Sequence, residues 1–149
     1  MRRTQCALIT VFGVIILFCG CTDNTAVRLR YQAEKQFYHA EKAAQAASFR
    51  GESVDPAVAR NIRDQFGDVA NLCLADLDIV TKDKYPPENR QLSAIAYQST
   101  TRLAQMYLAV RRFDTLAVLI SQLLDKATLS RSELATTYYN YGRALQLGG

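Results

Sequence analysis

The sequence is poor in the residue types from which most enzymes build polar active sites. It contains no tryptophan and one histidine, His39, which has no acid–nucleophile pair near it in the sequence. It also has no glycine-rich phosphate loop, no cluster of metal ligands and no serine flanked by glycines. We therefore predict that the protein is not an enzyme and needs no cofactor, metal or small-molecule substrate. His39 is then expected to be a solvent-exposed residue of a helix.

Net charge is also low for a chain of this length. The 149 residues carry a formal charge of +4 at pH 7, of which Arg2 and Arg3 supply two charges at the N-terminus. The rest of the chain has too little positive charge to favour nucleic acid as a partner.

The first 21 residues have the charge and hydropathy pattern of an export signal. Arg2 and Arg3 precede twelve residues without a charge, from Ala7 to Phe18. A membrane-spanning helix needs about 20 apolar residues, so this run is short for a span but fits the apolar region of a secretory signal. An uncleaved membrane anchor is the alternative interpretation.

The tetrapeptide Phe18-Cys19-Gly20-Cys21 resembles the lipobox of bacterial lipoproteins, in which a small residue precedes the cysteine that receives the lipid. Cys19 is a rival acceptor, but the bulky Phe18 would then stand next to the cleavage point. We therefore assign Cys21, whose thiolate can form a stable thioether with a lipid. The resemblance implies a signal peptide at residues 1–20 and a lipidated cysteine with a short tether at 21–25.

The same resemblance implies where the protein is located. A cysteine carrying several acyl chains, palmitate among them, is a lasting membrane anchor, whereas a single chain holds only weakly. Thr22 follows the cysteine, and the aspartate that often retains such proteins in the inner membrane comes one place later, at Asp23. We expect an exported protein in the bacterial cell envelope, anchored in the outer membrane and facing the periplasm.

Cysteine usage excludes an internal disulfide if this assignment is right. Cys6 and Cys19 are removed with the signal and Cys21 is acylated, so Cys73 has no partner within the chain. Cys73 lies in the middle of an apolar helical stripe, and we predict a buried, unreactive thiol.

The rest of the chain, 26–149, is predicted to be all-α. Apolar residues recur at spacings of three and four, and no segment shows the alternation of a strand. The patterns indicate helices over about 26–48, from Pro56 to Val80, from near Glu88 to Val110, from Phe113 onward, and from a capping box at Ser130 onward. The residues predicted to face the core are Leu29, Ala33, Phe37, Ala40, Ala44, Ala47, Val58, Ile62, Phe66, Val69, Cys73, Leu77, Val80, Leu92, Ile95, Ser99, Leu103, Met106, Val110, Leu116, Leu119, Ile120, Leu123, Leu124, Leu134, Tyr138, Tyr141 and Leu145.

The first helix contains a short internal repeat. The pentad at 31–35, Tyr-Gln-Ala-Glu-Lys, recurs seven residues later as Tyr-His-Ala-Glu-Lys, which places both copies on one helix face. Two heptads are fewer than a coiled coil requires, so ordinary helix packing is the preferred interpretation and a coiled coil the alternative. The tyrosines of this helix and Tyr138, Tyr139 and Tyr141 could line a groove, but aromatic residues at helical spacing are more often part of a core.

The segment 91–149 resembles a tetratricopeptide repeat. Leu103, Ala104 and Tyr107 fit the first helix of that repeat, and Phe113 fits the start of the second. Gly142 fits the close-contact position of a further first helix, 38 residues after Ala104, whereas the family period is 34. The resemblance implies helix hairpins stacked as a short solenoid over 26–149. The sequence leaves open whether the fifth helix caps the stack or whether the array is longer.

Together the two resemblances predict a lipid-anchored helical-repeat protein that binds other envelope proteins as a scaffold or assembly adaptor. The alternative is a structural lipoprotein that associates with itself and has no dedicated client. An envelope enzyme is a third, weaker hypothesis, because the chemistry for it is missing.

Overall fold

The computed structural model describes residues 24–48 and 54–149, and Cys21 with the rest of the predicted signal lies outside them. Within the described residues the chain is all-α, as predicted. We number the helices α1 (Thr25–Ser48), α2 (Pro56–Asp76), α3 (Pro86–Ala109), α4 (Phe113–Lys126) and α5 (Arg131–Gly148).

Local capping chemistry fixes two of the helix starts. The Asp55 carboxylate accepts a hydrogen bond of 2.7 Å from the backbone N–H of Ala57, and Pro56 occupies the first position of α2. At α5 the Ser130 hydroxyl accepts from the Glu133 N–H, while the Glu133 carboxylate accepts from the Ser130 N–H at 2.7 Å. Both arrangements satisfy backbone donors that a helix start leaves free, and both confirm the sequence-based prediction.

The region between α2 and α3 differs from the prediction. Helix α2 ends at Asp76, and Leu77 and Val80 lie beyond it in a hydrogen-bonded turn, yet both side chains are buried. Helix α3 begins at Pro86, two residues before the predicted start, because proline is tolerated in the first turn, where no intrahelical N–H bond is needed. Apolar spacing alone therefore extended α2 by about one turn.

A non-glycine residue in the left-handed conformation ends α3. Arg111 has a φ of 57°, and the N–H of the following Arg112 donates to the carbonyl of Tyr107 at 2.9 Å. Glycine is the usual residue at this point of a helix C-terminus. Both arginines are exposed, in agreement with the predicted solvated turn.

Contacts between the helices follow their order along the chain. Each helix packs on the next one, and the further contacts join α1 with α3, α2 with α4, and α3 with α5. Within the described ranges α1 does not contact α4 or α5, and α2 does not contact α5.

Helices α1 and α3 run in the same direction. Arg30 donates to the side-chain carbonyl of Gln91 at 2.6 Å, and Arg102 donates two hydrogen bonds to the Glu41 carboxylate at 2.8 and 3.2 Å. Each pair joins residues 61 positions apart, so the two helices advance together. The two polar contacts lie three helical turns apart along the interface.

The main core lies among α1, α2 and α3. Its α1 side is built from small residues, since Ala26, Ala33 and Ala40 are almost completely buried and let the neighbouring helices approach closely. Phe37 of α1 packs edge-on against Phe66 of α2, with ring centroids 6.1 Å apart. The predicted stripe of α1 is confirmed in full, whereas Val58 and Val110, predicted to be core residues, are exposed near helix ends.

A second, smaller cluster holds α5 in place. Its buried members are Ala104, Leu116, Ile120 and Ala144, and Tyr141 packs against them. Helix α5 buries only Thr137 and Ala144 fully, so it has the smallest share of the core among the five helices.

A buried amide connects the two connections on either side of the α3–α4 pair. The Asn89 side chain, 3% exposed, donates to the carbonyl of Val80 at 2.7 Å and accepts from the Thr128 hydroxyl at 2.9 Å. The backbone N–H of Thr128 donates to the hydroxyl of Ser93 at 2.9 Å. These bonds fix the α2–α3 turn and the α4–α5 connection to the first turns of α3.

Candidate protein-binding surfaces

The residues suited to nucleophilic or metal chemistry are not brought together. His39 is exposed on α1 and its ring contacts that of Tyr38, whereas Cys73 is fully buried in the core. Burial raises the pKa of the Cys73 thiol from 9.0 to about 12, so the thiol stays protonated at neutral pH. The predictions of an exposed histidine and a buried thiol are both confirmed. No group of three potential metal ligands occurs within residues 24–48 and 54–149.

One ionisable side chain is buried without a partner. Asp76, at the last position of α2, is 6% exposed, and its Oδ2 atom has no hydrogen-bond partner. Desolvation raises the pKa of this carboxyl above its ordinary value. Its neighbour Asp78 is engaged instead, and accepts from the Lys126 ammonium at 2.6 Å. A lone buried carboxyl without a second catalytic group does not form an active site.

An open groove of about 410 Å³ runs between α2 and α4. Gly67 and Asn71 line it on one side, Val118 and Gln122 on the other, and Tyr107 lies at its base. A Cβ atom at Gly67 would come 3.9 Å from the Tyr107 hydroxyl, so the glycine leaves the phenol uncrowded. The lining has no cluster of ionisable groups that could bind and activate a substrate.

The exposed apolar residues of α5 form the largest departure from the predicted core. Tyr138 and Leu145 were expected to face inward, but they are 59% and 53% exposed, while Thr137 and Ala144 are buried instead. Tyr138, Gly142 and Leu145 lie on one helix face, beside the half-buried Tyr141. We call Tyr138, Tyr141, Gly142 and Leu145 the α5 stripe.

The predicted close contact at Gly142 is wrong. A Cβ atom built on this residue meets no atom within 4 Å, and the residue is exposed. The glycine is therefore not required by packing against α3 or α4.

Tyrosines on α1 are exposed as well. Tyr31 and Tyr38 are 64% and 62% exposed, because the alanines of the repeated pentads take the buried positions on the opposite face. Tyr139 of α5 is also 64% exposed. The expectation that these tyrosines belong to a core is wrong for these three and for Tyr138; only Tyr141 packs against buried residues.

No helix among the described residues combines the length and hydropathy needed to cross a bilayer. Comparison with known proteins leaves the chain on its own, since no protein-family model, no curated protein and no solved structure matches it.

Proposed function

We propose that the protein is an exported lipoprotein, anchored through Cys21 in the bacterial cell envelope, whose helical domain is a non-catalytic scaffold for other envelope proteins. The lipobox-like sequence at 18–21 supports the anchor. The outer membrane, with the domain facing the periplasm, is the proposed location.

The order of helix contacts supports a short stack of tetratricopeptide-like hairpins. In such a stack each helix touches its near neighbours in sequence, and alternate helices run in parallel. The contacts of α1 with α2 and α3, and the offset of 61 residues between α1 and α3, fit this arrangement.

Burial in α5 supports a repeat of 34 residues better than the spacing of 38 first considered. Thr137 and Tyr141 follow Leu103 and Tyr107 by 34 residues, and both pairs face inward or pack on the core. At the same spacing Tyr138 corresponds to Ala104, which packs against α4.

The α5 stripe is the observation that carries the binding function. On α3, the face that contains Ala104 and Leu108 is covered by Leu116 and Ile120 of α4. The corresponding face of α5 is open, with an aromatic and an aliphatic side chain exposed beside a glycine. An amphipathic helix of a partner protein, with an apolar stripe like that of α4, is the ligand that this face would bind.

A pair of neighbouring substitutions tests this proposal. A photo-crosslinking residue at position 138 should capture a distinct client in intact cells. Leu145→Glu should abolish the crosslink because it places a carboxylate in the apolar stripe, whereas Gln146→Glu, exposed and turned away by one helix position, should preserve it. Equal crosslinking in both variants would exclude the α5 stripe as the client site.

Self-association through the same stripe is the second candidate function, favoured by the open space at Gly142. Light scattering on the purified domain separates the two. A monomer supports the scaffold, whereas a dimer that Leu145→Glu dissociates and Gln146→Glu does not would support self-association.

The anchor is tested separately. Cys21→Ala should abolish lipid labelling and release the protein from membranes or leave it unprocessed, while Cys19→Ala should still be labelled. Labelling that depends on Cys19 instead would move the acceptor, and fractionation with the inner membrane would contradict the proposed location.

A further inference from the structure

One exposed face of α1 combines cations with tyrosines. The two tyrosines of the repeated pentads, seven residues apart, lie on the same side as the lysines four residues after each of them. Arg28 lies on this side one turn earlier. All five side chains belong to exposed residues. We call Arg28, Tyr31, Lys35, Tyr38 and Lys42 the tyrosine–cation face.

The carboxylates of α1 are engaged elsewhere. The helix has two acidic residues, and Glu34 pairs with Arg30 at 3.6 Å while Glu41 pairs with Arg102 of α3 at 2.8 Å. Among the described residues, no carboxylate pairs with Arg28, Lys35 or Lys42. The tyrosine–cation face therefore carries three positive charges with no acidic partner.

We infer that the tyrosine–cation face lies against an anionic lipid surface, with α1 parallel to the membrane plane. Lysine and arginine side chains near a bilayer are attracted by anionic headgroups. Tyrosine has an apolar ring and a polar hydroxyl, and it is enriched where the acyl region meets the headgroups.

Chain connectivity favours a membrane over an acidic protein as the occupant. This step rests on the proposed anchor at Cys21. Thr25, the first residue of α1, is four residues after Cys21, and an extended chain covers at most about 3.6 Å per residue, so the helix start is held within about 14 Å of the lipidated cysteine. The cations of α1 are thus delivered to headgroups by the anchor itself.

The absence of tryptophan provides a direct assay. Tyr38→Trp introduces a single tryptophan on the tyrosine–cation face, and Tyr139→Trp introduces one on α5 at a site of similar exposure. Each full-length lipidated variant is incorporated into vesicles of phosphatidylethanolamine and phosphatidylglycerol whose acyl chains carry bromine near the headgroups. Because an interfacial helix face reaches the headgroup–acyl boundary, we expect Tyr38→Trp to lose about half of its emission to bromine quenching and Tyr139→Trp to lose almost none.

Charge is tested in the Tyr38→Trp background. Replacing phosphatidylglycerol by phosphatidylcholine should reduce the quenching, and so should Lys42→Glu. Lys82→Glu, an equal charge change at an exposed residue of the α2–α3 turn, should leave the quenching unchanged.

Three results would overturn the inference. They are equal quenching at positions 38 and 139, quenching that does not depend on the anionic lipid, and crosslinking of this face to a protein in place of lipid quenching. Flotation of the same vesicles keeps the anchor separate. A protein that floats but is not quenched retains the anchor and disproves the docked face, whereas loss of flotation disproves the anchor.

Discussion

Asn89 offers the sharpest test of how the helices are held together. Its amide is buried, donates to the Val80 carbonyl and accepts from the Thr128 hydroxyl. Asn89→Ala removes both hydrogen bonds, worth about 1 kcal/mol each, and leaves the Val80 carbonyl without this donor at a cost of about 1–3 kcal/mol. The higher helix propensity of alanine returns roughly 0.5 kcal/mol. We expect a net loss of about 2–4 kcal/mol.

Urea unfolding of a fragment comprising residues 22–149, followed by circular dichroism, measures this loss. Asn61→Ala is the matched control, because Asn61 is an exposed residue inside α2 and gains the same helix propensity. Its free energy of unfolding should stay within about 0.5 kcal/mol of the parent fragment.

A double-mutant cycle with Thr128→Val isolates the second hydrogen bond. We expect a coupling energy of about 0.5–1.5 kcal/mol between the two positions. If Asn89→Ala costs no more than Asn61→Ala, the buried amide does not stabilise the fold and the assignment of these bonds is wrong.

Three further results are expected. Gly142→Ala should stabilise the fragment by about 0.5–1 kcal/mol in urea melts, because an added methyl meets open space in a helix; a loss would restore the close contact that the structure excludes. Asp76→Asn should raise the melting temperature at pH 7. The raised pKa of Asp76 means that its protonated form favours folding below the ordinary carboxyl pKa and that this contribution is lost as pH rises through the folded-state pKa, so the gain should disappear in acid. Cys73, with its pKa raised to about 12, should react with iodoacetamide at pH 8 only when urea unfolds the protein, and its contribution to stability should be present below about pH 9 and decline towards pH 12; rapid labelling of the folded protein would contradict its burial.

The features that the sequence predicts correctly are those decided within one or two helical turns. The caps at Asp55 and Ser130 need only neighbouring backbone N–H groups, and the alanine stripe of α1 depends on spacing alone. Cys73 was placed correctly because apolar residues flank it at spacings of three and four on both sides.

Helix α5 shows where such reasoning fails. Two stripes compete on this helix, one through Thr137 and Ala144 and one through Tyr138 and Leu145. Hydrophobicity selects the second, but the small residues fit closely against α4, and only the neighbouring helix decides between them. The Arg30–Gln91 contact and the Asn89 bonds are equally invisible in the sequence, because their partners come together only when the helices pack.

The contact order of the helices also determines how the molecule would carry a mechanical load. Because α1 touches only α2 and α3 among the described helices, a pull applied to the start of α1 and resisted at α5 passes through the helix interfaces in series. Under such tension the weakest interface separates first while the others remain intact. Helix α5, held by the smaller cluster, is the first to detach, so a partner bound there would be released before the helices nearest the membrane lose their packing.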